Sequence, residues 1–176
     1  MRSALMFCAA FFAVLLTFGC AATKPVPSPK PAVQSAAAPA LPEILPFNIE
    51  KIPAGWTFAG PGAAIVFVNP EYQAQVQFSF FPGVAITPAD FVKKIAEQAA
   101  SDPLTKIVPA ACEPASTECS ARITMSRGGE KSGWLVVRTF PGCTVYSVAL
   151  MGLWPVEFEE TLAPDFEIFK GAMRLK

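Results

Sequence analysis

Gln73-Ala74-Gln75-Val76-Gln77-Phe78-Ser79-Phe80-Phe81 is the cleanest period-two stretch in the chain. Gln73, Gln75, Gln77 and Ser79 take one face; Ala74, Val76, Phe78 and Phe80 take the other. Strict alternation of this length predicts a β-strand with one apolar face. The next signal is helical. Thr87 is placed as an N-cap, Pro88 at the first helical position and Asp90 in the first turn, where the helix dipole favours a carboxylate. Phe91, Ile95 and Ala99 share one face with Val92 and Ala96 beside them, while Lys93, Lys94 and Glu97 face water, so a helix is predicted over 87–100.

Working outward, residues 47–58 hold a strand entering the Pro53-Ala54-Gly55 turn, with Trp56 just after it. Residues 63–68 form a continuous apolar run that stops at Asn69-Pro70, which reads as a buried strand. Beyond the helix, a loop is expected and then three strands, at 119–126, 134–140 and 143–152, with Arg127-Gly128-Gly129-Glu130 as the first turn. The last of these is apolar on nearly both faces and is placed at the centre of the sheet. Phe158, Leu162, Phe166, Phe169 and Met173 make a core-facing stripe on a C-terminal helix, expected to break at Pro164. The predicted class is α+β: a mostly antiparallel sheet of about six strands packed with helices as an α-β-α sandwich.

Ile52-Pro53-Ala54-Gly55-Trp56, the helix at 87–100 and the closing helix and tail at 166–175 together resemble the PsbP/Mog-type family, to which DcrB-like bacterial lipoproteins belong. The resemblance covers most of 47–176. It implies a non-catalytic domain that binds other proteins. The family shares no active site, so it assigns no functional residues here.

The amino terminus has a different character. Met1-Arg2-Ser3 carries one positive charge, and 4–16 is an uncharged run of Phe, Leu and Ala too short to span a bilayer comfortably. Leu16-Thr17-Phe18-Gly19-Cys20 resembles the bacterial lipobox, with Gly19 before the cut and Cys20 as the acylated thiol. Leu16 stands one place early, with Thr17 where the leucine usually falls; the looser form of the pattern admits it. Residues 1–19 are therefore expected to be a lipoprotein signal peptide. An ordinary signal peptide cut near Ala21-Ala22, or an uncleaved anchor, is the plainer alternative. Three acyl chains on Cys20 would anchor the protein stably. Ala21, rather than Asp, follows the cysteine, and the resemblance then implies the outer membrane, facing the periplasm. Residues 21–46 contain seven Pro and seven Ala and cannot bury a core. Together with Cys20 they read as a tether, reaching ~80 Å if fully extended at ~3.1 Å per residue. Residues 47–176 are then a single domain.

Composition excludes more than it selects. The chain of 176 residues has 14 Lys+Arg, 14 Asp+Glu and no histidine. It has no basic excess for nucleic acid, no imidazole base and no His-ligated zinc. Within 47–176, eleven basic residues meet thirteen acidic ones, a net charge of −2. No nucleophile motif or phosphate loop is present.

Three cysteines follow the tether. Cys112 and Cys119 flank a short polar loop that a disulfide would close. Cys112–Cys143 and Cys119–Cys143 compete with it, the latter spanning ~9–10 Å across a middle strand, beyond disulfide reach. Cys112–Cys119 is preferred. Three cysteines without His or CxxC do not make a zinc set. Glu157, Glu159, Glu160, Asp165 and Glu167 cluster in eleven residues, read as solvent-facing charge at helix starts rather than a paired-carboxylate or calcium site. Trp56, Trp134 and Trp154 with Phe80 and Phe81 are read as core rather than as a ligand cleft.

The function expected is that of a membrane-anchored envelope lipoprotein, non-catalytic and without a cofactor, whose domain binds or supports a protein partner. The alternative is a periplasmic carrier of a small apolar ligand. An enclosed apolar cavity would favour the carrier, and a filled core with a flat exposed apolar patch would favour the partner.

Overall fold

The computed structural model describes residues 52–60, 64–82, 86–113, 115–140 and 146–174. The expected signal peptide, the tether, Cys20 and Cys143 lie outside them. The elements are β1 (Thr57–Phe58), β2 (Ile65–Asn69), β3 (Ala74–Pro82), α1 (Pro88–Ala99), β4 (Thr105–Pro109), β5 (Glu118–Met125), β6 (Lys131–Phe140), β7 (Tyr146–Pro155), a 3-10 turn (Val156–Phe158) and α2 (Glu159–Gly171). The strands form one seven-stranded sheet in the order β1-β2-β3-β7-β6-β5-β4. Every neighbouring pair is antiparallel. These pairings make β3 and β4 run in the same direction, and such strands need a crossover of a dozen or so residues. Helix α1, with 12 residues, is that crossover. The chain then returns strand by strand until β7 slots in beside β3.

Strand β7 is central because both its faces are apolar. Ala149, Met151 and Leu153 join a core with Phe91, Val92, Ile95 and Ala99 of α1. Val148, Leu150 and Trp154 join a second core with Leu162, Phe166 and Phe169 of α2. The architecture is thus helix, sheet, helix, as the alternating and helical periods predicted. Helix α1 packs mainly on β4, β5 and β6, and its Phe91 also meets Phe81 near the end of β3, 4.8 Å between ring centroids.

Four details refine or correct the sequence-based expectation. A seventh strand, β4, occupies part of the expected loop; as an edge strand it buries only Thr105 and Ile107, too few apolar positions to show a period. Strand β1 follows the Pro/Gly turn, with Trp56 N–H bonded to the Pro53 carbonyl at 3.3 Å; residues 47–51 of the strand expected to enter that turn lie outside the described residues. Pro164 does not break the C-terminal helix, which runs through it from Glu159 to Gly171. Pro164 removes the bond to the Glu160 carbonyl, but both residues are exposed, so water can satisfy that oxygen. Finally, the glutamine face grades from exposed to buried: Gln73 is exposed and Gln75 half-buried, but Gln77 is 2% and Ser79 7% exposed. Gln77 Nε2 donates to Ser79 Oγ at 3.0 Å, while its Oε1 has no partner among the described residues.

Candidate functional site: a cleft at the turn end of the sheet

The turn joining β2 to β3 and the turn joining β5 to β6 lie at the same end of the sheet. Between them a cleft of about 260 Å³ opens on the face that carries α1. Cross-strand partners share a face, and Val68, Gln75 and Leu153 stand in one row across β2, β3 and β7. Val68 and Leu153, with Met125 at the end of β5, give the cleft its apolar surface. Gln73 and Gln75 add two amides, and Arg127 and Lys131 add two cations from the β5–β6 turn.

The local sequence explains how these side chains are held. Gly128 and Gly129 take φ of +72° and +118°, the left-handed conformations that a tight hairpin turn requires. Gln73 is different: it has φ of +50° with a side chain attached. It is the last residue of the β2–β3 turn, a position where glycine carries no strain. The turn is fixed from the opposite side by Tyr72, whose ring meets Phe158 edge-on at 5.0 Å between centroids. The fold therefore holds a strained residue at the mouth of the cleft, at a cost of about 1–3 kcal/mol.

The charges are unequal in their commitments. Arg127 Nη2 is 3.5 Å from Asp102 Oδ2. The Asp102 carboxylate also accepts from the Leu104 N–H at 3.0 Å and the Thr105 hydroxyl at 2.9 Å. The Leu104 bond first and the Thr105 bond second hold Asp102 below the usual carboxylate range; desolvation opposes them, and the Arg127 charge adds the smallest contribution. Lys131 is half-buried and has no ion-pair partner among the described residues. The arrangement can hold an anionic group beside an aliphatic one. It presents no nucleophile paired with a base.

The residues singled out in the sequence lie elsewhere. Cys112 and Cys119 are joined, with Cα atoms 5.5 Å apart, and tie the β4–β5 connection to the α1-side core. Of the acidic cluster, Glu157, Glu160 and Glu167 are exposed, as expected of solvent-facing charge, while Glu159 and Asp165 are tied to distant residues, which corrects the reading for those two. Asp165 accepts from Trp56 Nε1 at 2.7 Å, Glu159 accepts from Arg122 and from the Ser132 hydroxyl, and Glu167 lies 3.6 Å from Lys170. Among the described residues no three potential metal ligands converge. The tryptophans do not share a cleft either. Trp56 and Trp154 are buried on the α2 side, and Trp134 lies beneath the Arg122 guanidinium, 5.0 Å from its ring centroid. The cleft residues come from five strands and two turns, so no linear motif announced them. The one available signal was the row of glutamines ending at Gln73.

No family model matches the sequence, and no curated protein matches it. Solved structures do. The solution structure of cyanobacterial PsbP (CyanoP) from Synechocystis sp. PCC 6803 superposes with a TM-score of 0.50 at 14% identity, over 70% of this chain and 84% of that one. The fold is PsbP-like. The crystal structure of LpqN, involved in cell envelope biogenesis of Mycobacterium tuberculosis, gives a TM-score of 0.51 at 12% identity, over 69% of this chain and 78% of that one. A PsbP-like sheet thus spans both comparisons, and the expected α+β class is met. Among the described residues no helix is long and apolar enough to cross a membrane.

Proposed function

We propose that this chain is a membrane-anchored envelope lipoprotein, non-catalytic, whose PsbP-like domain binds or supports a protein partner. The anchor is Cys20, acylated after removal of 1–19, and the Pro/Ala tether holds the domain off an outer membrane on its periplasmic side. The likeness to LpqN, a protein of cell envelope biogenesis, is consistent with that placement. The Cys112–Cys119 bond suits an exported, oxidising location.

The observation that carries partner binding over ligand carrying is how the apolar side chains are used. Large residues fill both cores: Trp154, Phe67, Phe78 and Phe169 on the α2 side, and Phe81, Phe91, Leu135 and Met151 on the α1 side. The cleft of about 260 Å³ falls below the ~300–1,000 Å³ usual for a pocket that engulfs a small molecule. The flat apolar patch looked for is not seen among the described residues: Leu104, Val108, Val156 and Ile168 are exposed but spread over three elements. Recognition is therefore assigned to the cleft.

Cys20→Ser is expected to abolish incorporation of labelled fatty acid and to release the domain from membranes; persistent attachment would remove the lipobox assignment. Crosslinking in cells followed by pull-down is expected to recover a protein. Recovery of co-purifying lipid and no protein would favour the carrier instead.

A further inference from the structure

We propose that the cleft between the β2–β3 and β5–β6 turns binds an acidic, extended peptide segment of the partner, taking an aliphatic side chain and a neighbouring carboxylate. This rests on the partner-binding reading and gives it a site and a chemistry. Charge complementarity is the first argument. Lys131 has no anion of its own among the described residues, and Arg127 is held by one contact of 3.5 Å to Asp102. Asp102 engages Arg127, and Glu71 and Glu130 stand in the same two turns, but the charged residues that line the cleft itself are Arg127 and Lys131, so its wall is cationic. Shape is the second. Val68 and Leu153 give an apolar floor in line with Gln75, and a volume of about 260 Å³ accepts a side chain or two rather than a lipid tail. Peptide chemistry is the third. An amide side chain both donates and accepts, matching the N–H and C=O of an extended backbone. Gln75 and Gln73 offer two such groups at the cleft, and Gln73 is kept at φ +50° where glycine would relieve the turn. A strained residue retained at a cleft is consistent with a binding role.

The β4 edge of the sheet is a poorer place for a peptide. The bonds from Ala110 N–H to Ser120 O and from Ser126 N–H to Leu104 O set the β4 alternation, so it is the backbone groups of Thr105, Ile107 and Pro109 that face the open edge. Thr105 N–H is already bonded to Asp102 O at 3.1 Å, and proline has none. Only the Ile107 amide of β4 is left to receive an added strand.

The test uses the full lipidated chain in detergent micelles, with methyl-labelled Met, Val and Leu followed by NMR. The probes are acetyl-Gly-Leu-Glu-Gly-amide, its Gln counterpart and phosphatidylglycerol vesicles. The acidic peptide is expected to shift the methyl signals of Val68, Met125 and Leu153, more tightly than the Gln peptide by about fivefold. Lys131→Gln should weaken it by a similar factor and erase the preference. Gln73→Gly should weaken binding while raising the urea midpoint, because it removes the strain along with the amide. Equal affinity for the two peptides, no effect of Lys131→Gln, or cleft shifts caused by the vesicles alone would overturn the proposal. In-cell crosslinking separates this from the broader reading. A partner captured equally by wild type and Lys131→Gln removes the cleft and leaves partner binding; no partner with either removes the reading itself.

Discussion

Gly152 shows how one residue admits a helix to a sheet. It sits on β7 on the face that carries α2, and a Cβ there would stand 2.5 Å from Phe166 Cδ2 and 2.7 Å from the Trp154 ring. The absent side chain lets Phe166 lie directly on the strand backbone, edge-on to Trp154 at 5.8 Å. Gly152→Ala is expected to cost about 1–3 kcal/mol by overpacking, read as a lower urea midpoint. Adding Phe166→Leu should recover part of that loss; a fully additive double mutant would show that the two sites do not touch. Trp56 makes a comparable link on the same side. Its Nε1–H donates to Asp165 and its ring meets Phe169 edge-on at 5.2 Å, which joins the first turn of the domain to its last helix.

Among the elements, α1 and α2 begin differently for local reasons. Thr87 Oγ1 accepts from Asp90 N–H at 3.1 Å and donates to Asp90 Oδ2 at 2.8 Å, so α1 starts abruptly. No side chain caps α2, and the 3-10 turn at 156–158 feeds into it instead. The β4–β5 connection is closed by Cys112–Cys119 over a separation of 7 residues. Cys112→Ser is expected to lower stability by about 2 kcal/mol in urea denaturation, with reductant lowering the wild type similarly and leaving the variant unchanged. A non-reducing peptide map linking Cys112 to Cys143 would overturn the pairing.

Across the whole molecule, α2 is fastened to the sheet at both ends. At its N-terminus Glu159 meets Arg122 and Ser132. At its C-terminal end Arg138 donates to the Met173 carbonyl at 2.6 Å and pairs with Glu118, which also lies 3.6 Å from Lys170. The Arg122 hydrogen bond, with help from Ser132 and the Arg122 charge and against partial desolvation, holds the Glu159 pKa below its ordinary 4.5. A depressed carboxylate stabilises the fold fully above that ordinary value and loses the contribution as pH falls through the folded value. Glu159→Gln should therefore lower stability near neutrality, by about 1 kcal/mol for a half-exposed pair, and match wild type once the carboxylate is protonated. A difference that persists unchanged in acid would assign the loss to side-chain packing instead.

The sequence by itself determined the α+β class, the helix at 88–99, the central place of β7 and the two core stripes. Each follows from a local period or a cap, and local patterns survive without knowledge of the neighbours. It also carried the resemblance that the PsbP-like superpositions support as a fold. Tertiary structure alone decided the rest. Strand β4 had too few buried positions to declare itself, and Gln77 and Ser79 are buried although the glutamine row has no apolar residue before Phe81. Glu159 and Asp165 became ties because their partners Arg122 and Trp56 are distant in the chain. The cleft belongs wholly to this second class. Lys131, Arg127, Gln75 and Val68 acquire a common chemistry only when two hairpin turns meet at one end of the sheet, and that meeting is set by strand order.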